Sequence, residues 1–167
     1  PDFVRRFEEE ATAVARLRHG HIVQVHDFNQ DNGTYFIVFE YVEGQALNDK
    51  LREVHQTNGR LPYSTTIDIV ADVADALDYA HDKGLVHRDI KPANIMIAPN
   101  GRPVLMDFGI AKLVDATQQT ASGAILGTAR YMAPEQVTGS KIDARTDIYA
   151  LGVMLFEMIS GQVPFSA

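Results

Sequence analysis

His87-Arg88-Asp89-Ile90-Lys91-Pro92-Ala93-Asn94 gathers an imidazole, two bases, a carboxylate and an amide into eight residues, shortly after the helix-ending pair Lys83-Gly84. Each polar member has a task it can perform at this spacing. Asp89 can orient an incoming hydroxyl or take its proton, Lys91 can set a positive charge beside a phosphate, and Asn94 can offer an oxygen to a divalent metal. Together they suit phosphoryl transfer, in which catalysis is mostly positioning and charge neutralisation. In isolation the octet would equally read as a polar turn with a capping Asp and a Pro. The flanking sequence has to decide between the two.

C-terminal to it, Ile95-Met96-Ile97, a Pro99-Asn100-Gly101 turn and Val104-Leu105-Met106 read as a short hairpin that ends in Asp107-Phe108-Gly109. Such a hairpin can return Asp107 to Asn94. A carboxylate and an amide oxygen converging beside a general base match a magnesium-nucleotide site, because magnesium takes oxygen ligands and keeps phosphate oxygens in its shell. Residues 110–130 have little periodicity and carry the hydroxyls of Thr117, Thr120, Ser122 and Thr128. Long loops inside compact domains are usually functional. Met132-Ala133-Pro134-Glu135 closes this one, and Asp147 to Ser160 reads as an apolar helix ending at Gly161.

N-terminal to the octet, residues 62–84 have a helical pattern with Ser64 as N-cap. Ile67, Val70, Ala74, Leu77 and His81 form its apolar stripe, and Asp68, Asp72, Asp75 and Asp82 a solvated acidic face. His81 reads as a packed or edge histidine. Ile22 to Phe28, a turn over residues 29–33, and Thr34 to Val42 form a hairpin, with a helical pattern beginning near Ala46-Leu47. A boundary between a small strand-containing part and a helical part falls there, and the crevice between them is a natural ligand site. Residues 3–18 are helical, with Phe7, Glu10, Val14 and Leu17 on one face. Glu10 in an apolar stripe calls for a cationic partner, since an unpaired buried carboxylate is costly.

Composition bounds the class. The 167 residues are 46% hydrophobic and 22% charged, enough for one domain with a core. A net charge of −7 argues against nucleic acid or an anionic membrane as a partner, and the absence of cysteine removes disulfides and thiolate zinc sites. The start at Pro1 reads as an internal cut, and the apolar run from Ile148 to Ile159, which carries Glu157, is too short to span a bilayer.

Taken in order, the octet, Asp107-Phe108-Gly109, Gly127-Thr128 and Ala133-Pro134-Glu135 resemble the eukaryotic-type (Hanks-type) protein kinases. Lys91-Pro92 is similar to the serine/threonine branch, and Glu40-Tyr41-Val42-Glu43-Gly44 and Tyr131 to Gln136 resemble its bacterial members. The resemblance implies an α+β protein-kinase-like fold in truncated form. Residues 1–42 would be a partial N-lobe, helix αC plus a strand hairpin and hinge, and residues 43–167 a mainly helical partial C-lobe. It implies Asp89 as catalytic base, Lys91 as the phosphate-contacting lysine, and Asn94 and Asp107 as ligands of magnesium, with manganese as a substitute. Glu10 would pair with a third-strand lysine, and Phe39 would guard the back of the adenine pocket. The backbone of Glu40 and Val42 would bond the adenine edge, and Met96 would pack against the base. Val14, Val25, His87 and Phe108 match an apolar spine, with Asp147 anchoring the His87 turn.

Arg88 would pair with a phosphate on the 107–135 loop, with Thr120 and Ser122 the preferred acceptors. The implied partners are ATP and proteins bearing Ser or Thr, and a dimer for autophosphorylation in trans. The implied location is cytoplasmic, with any membrane anchor outside this segment. The glycine-rich loop and third-strand lysine of the family have no counterpart in the chain, so these residues alone are expected to have little activity. Two other readings compete: a pseudokinase-like binding module, and a small-molecule phosphotransferase of kinase-like fold. The presence of Asp89, Lys91, Asn94 and Asp107 counsels against the first, and the Ala-Pro-Glu segment against the second.

Overall fold

The computed structural model describes residues 11–32, 34–57, 59–108 and 129–165. A helical segment over residues 11–15 (α1) buries Ala11 and Val14, and Leu17 just beyond it, as the apolar spacing predicts. Then come β1 (Val25–Asp31) and β2 (Thr34–Phe39), an antiparallel pair in which Val25 faces Phe39 and, after a register shift between Val25 and Asp27, Asp27 to Asp31 face Val38 to Thr34. The strand is displaced three residues from the expected Ile22 to Phe28, because His21 and Val23 bond to the backbone of Leu105 instead, while Asp27 and Asn29 accept the N–H of Phe28 and Gln30 on their own side chains. Asn32, at φ 48°, supplies the left-handed residue a tight hairpin needs. At the other end β2 stops at Phe39 rather than Val42. Glu40 turns toward Gln24, donating its N–H to the Gln24 carbonyl (2.8 Å) and accepting the Gln24 N–H on Oε1 (2.9 Å).

A second sheet, in the order β3-β4-β5, was not evident from sequence at its first strand, two residues long. It comprises β3 (Gln45–Ala46), β4 (Ile95–Ile97) and β5 (Pro103–Leu105), all antiparallel. Gly44, at φ 147°, makes the approach of β3 to β4 feasible: a Cβ there would stand 2.2 Å from the Ile97 carbonyl oxygen. The expected helix follows as α2 (Leu47–Gln56). Residues 21–23 dock on β5, with Leu105 N–H donating to His21 O (2.8 Å) and Val23 N–H to Leu105 O (3.0 Å). The N-terminal elements are thereby stitched to the sheet that carries the octet's hairpin.

Helix α3 (Tyr63–Asp82) corrects the sequence reading in two respects. Its N-cap position is Pro62, with no side-chain cap, rather than Ser64. Its buried face is Thr66, Ile69, Val73, Ala76, Leu77 and Ala80, while Ile67 is 54% exposed. Apolar residues occupy both candidate stripes, so period alone does not choose between them. The chosen stripe carries Ala76 and Ala80, small enough for close packing against neighbouring elements. The acidic face is also not purely solvated, since Asp75 lies 3.0 Å from His19 Nε2 and Asp72 3.8 Å from His21 Nδ1. A short helix α4 (Pro134–Thr138) precedes α5 (Ala144–Ser160). The Asp143 carboxylate caps α5 by accepting the Arg145 N–H, and the Arg145 side-chain hydrogen bonds hold Asp143 down to about 2. Helix α5 ends on Gly161 at φ 83°, and its early start places Asp147 within the helix, on the buried face with Ala150, Met154 and Met158. Among the described residues, no helix is long and apolar enough to cross a membrane.

Candidate active site

The octet is held from below by one carboxylate. Asp147, fully buried on α5, accepts the His87 N–H on Oδ2 (2.8 Å) and the Arg88 N–H on Oδ1 (2.7 Å). His81 from the last turn of α3 adds its Nε2 to Oδ2 at 2.8 Å. The sequence reading placed Asp147 as the anchor, and the structure adds His81, whose separation of 66 residues from Asp147 left no local signal.

His87 is buried, and its ring takes two fixed roles. Its Nδ1 lies 3.2 Å from the Asp89 N–H and its Nε2 lies 2.9 Å from the Met106 carbonyl. A carbonyl can only accept, so the ring proton sits on Nε2 and Nδ1 accepts, which is the neutral tautomer. Burial lowers the His87 pKa against the opposing charges of Asp147 and its neighbours. A lowered folded-state value means the unfolded chain binds the extra proton first, so acid favours unfolding. Stability is therefore expected to fall as pH drops through 6.5, the ordinary value, and to level off below the lowered one. Melting profiles between these limits should flatten in a His87→Gln variant.

The polar side chains of the octet are linked to one another. Asp89 Oδ2 lies 2.9 Å from Lys91 Nζ and 3.0 Å from Asn94 Nδ2, and the same Nδ2 donates to the Asp89 carbonyl (2.8 Å). A turn of 3-10 helix, Pro92–Asn94, creates this geometry by folding Asn94 back over Asp89. Nδ2 of Asn94 is committed to Asp89, so the end of its amide turned away from these bonds is Oδ1. The β4-β5 hairpin does return the chain as expected: Met106 N–H donates to the Asn94 carbonyl (2.8 Å), bringing Asp107 alongside. Asp107 is exposed and left-handed at φ 52°, and Phe108 then packs on His87 with ring centroids 4.6 Å apart. Left-handed non-glycine residues cluster at functional sites, and Arg88 at φ 68° is another. Val14, Val25, His87 and Phe108 are all buried.

Phe39, Glu40 and Val42 are half-buried at the end of β2, and Met96 lies on β4 opposite Ala46. Pairing of β3 with β4 thus ties the 40–44 segment to the strand carrying Met96. With the Glu40 N–H committed to Gln24, the Glu40 carbonyl is the backbone group of that residue left to a ligand. Glu10, Thr120 and Ser122 lie outside the described residues.

The closing segment holds contacts that spacing did not reveal. Tyr131 donates its hydroxyl to Glu157 on α5, and burial, first, then that bond push the phenol well above its usual range. Glu135 accepts the Thr146 hydroxyl at 2.6 Å, and this bond holds its carboxyl below the ordinary value. Gln136 accepts the Ala133 N–H (3.0 Å) and donates to the Arg88 carbonyl (2.8 Å).

The chain belongs to the protein kinase family: the protein kinase domain model matches residues 2–167. It is 44% identical over 165 residues to a probable serine/threonine-protein kinase, CPE1738, of Clostridium perfringens, covering 99% of this chain and 24% of that protein. It is 43% identical to PknB of Mycobacterium leprae and 44% identical to PknA of Mycobacterium tuberculosis, each named a serine/threonine-protein kinase, spanning 27% and 39% of their lengths. Among solved structures it is similar to the kinase domain of Mycobacterium tuberculosis PknI, with a TM-score of 0.79 and 36% identity, covering 99% of this chain and 60% of that one. The chain thus spans well under half the length of these full-length relatives.

Proposed function

We propose that the protein carrying this chain is a serine/threonine protein kinase that transfers the γ-phosphate of ATP to protein hydroxyls. The observation that carries the reading is the Asp89-Lys91-Asn94 cluster, held within hydrogen-bonding distance at 2.9 and 3.0 Å. Asp89 takes the proton of the acceptor hydroxyl as its oxygen forms a bond to the γ-phosphorus. The bond from that phosphorus to the bridging oxygen breaks, and ADP leaves. Lys91 neutralises charge on the transferring group, and its contact with Asp89 keeps both beside the reacting atoms.

The oxygens of Asn94 and Asp107 fit a small hard cation such as magnesium, or manganese in its place. Among the described residues no group of three or more His, Cys, Asp or Glu side chains could hold a metal, so phosphate oxygens would complete the shell. When bound, the ion would supply charge neutralisation at the phosphates. The hinge backbone at Glu40 and Val42, with Phe39 and Met96, would receive the adenine, and Glu10 would pair with a lysine outside this chain. Arg88 would receive a phosphate on the 107–135 loop, with Thr120 and Ser122 as acceptors, by autophosphorylation between two copies. The setting is cytoplasmic, with no nucleic-acid partner for a chain of charge −7.

The full-length protein, given ATP and magnesium, is expected to label protein substrates on serine or threonine and to leave small-molecule alcohols and amines unlabelled. The same reaction mixture, mapped for phosphopeptides, should show modification within residues 110–130, and residues 1–167 alone should give little signal. Labelling of the small molecules in preference to protein would overturn the reading.

A further inference from the structure

Arg88 is held in a conformation that a non-glycine residue rarely adopts, with φ 68°. Such a residue persists where its surroundings fix it. Its N–H is fixed by Asp147 Oδ1 at 2.7 Å. Its carbonyl, the first half of the peptide unit that leads into Asp89, is fixed by Gln136 Nε2 at 2.8 Å. The other end of the same amide, Oε1, accepts the Ala133 N–H at 3.0 Å. A backbone N–H at one end demands an acceptor and a carbonyl at the other demands a donor, so the amide can sit only one way round.

The position of Gln136 gives these two bonds a meaning. It lies in the first turn of α4, at the close of the loop segment, yet it reaches 48 residues back to the octet. Capping the start of α4 needs only an acceptor, which a glutamate would supply equally well. The donor at Nε2 serves the Arg88 carbonyl and nothing in the capping of α4.

We propose that Gln136 is a positioning residue for phosphoryl transfer: by gripping the Arg88 carbonyl it sets the orientation of Asp89, and it links the Asp89 peptide to the segment that closes the loop. The proposal rests on the kinase reading above. It assigns a role to a side chain that touches neither nucleotide nor acceptor.

Gln136→Glu separates positioning from capping, because it keeps the acceptor for Ala133 and sets a carboxylate oxygen against the Arg88 carbonyl. In the full-length protein, with ATP, magnesium and a protein acceptor, this variant is expected to lower kcat by about ten- to a hundred-fold, the range that a small misplacement of a reacting group costs. The KM for ATP should stay close to wild type, and the melting temperature should fall only modestly, by what the lost Arg88 bond accounts for. Gln136→Met, which keeps the volume and loses both bonds, should show the same loss in kcat with a lowered melting temperature. A kcat within about twofold of wild type for Gln136→Glu, or a loss carried wholly by KM, would overturn the proposal while leaving the kinase reading intact. An inactive wild-type protein would overturn both.

Discussion

Asp89→Asn in the full-length protein is expected to lower phosphate transfer by roughly a hundred- to ten-thousand-fold while leaving nucleotide affinity near wild type. The magnitude is that of a general base lost from a transition state. The substitution is close in volume, and the amide can still accept from Asn94 Nδ2 and from Lys91 Nζ, which lie 3.0 and 2.9 Å from the carboxylate. It cannot take a proton from the acceptor hydroxyl. Because the adenine and phosphate contacts proposed here lie on other residues, ATP binding measured by titration should survive. A parallel loss of binding and transfer would instead mean that Asp89 serves to hold the octet together.

The second large effect is on stability. Asp147→Ala removes the acceptor of His87 N–H, Arg88 N–H and His81 Nε2 in a position with no solvent to replace it. Leaving buried hydrogen-bond donors without an acceptor costs about 1–3 kcal/mol each, so the loss is expected to be about 3 kcal/mol or more. For a domain whose whole stability is about 5–15 kcal/mol, that is a large share. Denaturant melts should show it directly. His81→Ala, which removes one donor and leaves Asp147 with its two backbone partners, should cost about 1 kcal/mol, typical of a single hydrogen bond. Equal costs for the two variants would place the importance of Asp147 in packing rather than in its grip on the octet.

Much of this architecture was legible in the sequence, and the reason is physical. The octet, the 95–105 hairpin and α5 are specified by local chemistry: a proline after a lysine, a Pro-Asn-Gly turn, and a long apolar run closed by Gly161. Such signals act over a few residues, so reading them needs no knowledge of the rest of the chain. The face of α3 was not legible. Ile67 and Ile69 are equally apolar, and only the packed neighbours decide that Ile69 is buried and Ile67 is not. Strand β3 escaped for a similar reason, since two residues pair only because Gly44 lets them approach Ile97. At the candidate site, Asp89, Lys91 and Asn94 lie within six residues of one another, and the 95–105 hairpin is readable as the element that returns the chain to Asn94. His81 and Gln136 work through partners 66 and 48 residues away, a relation only the tertiary fold can express.

The most direct test of the account is phosphoamino-acid analysis of an acceptor protein incubated with the full-length protein, γ-labelled ATP and magnesium. The account predicts label on phosphoserine or phosphothreonine with the wild-type protein and almost none with Asp89→Asn at equal nucleotide occupancy. Undiminished labelling by Asp89→Asn would contradict it.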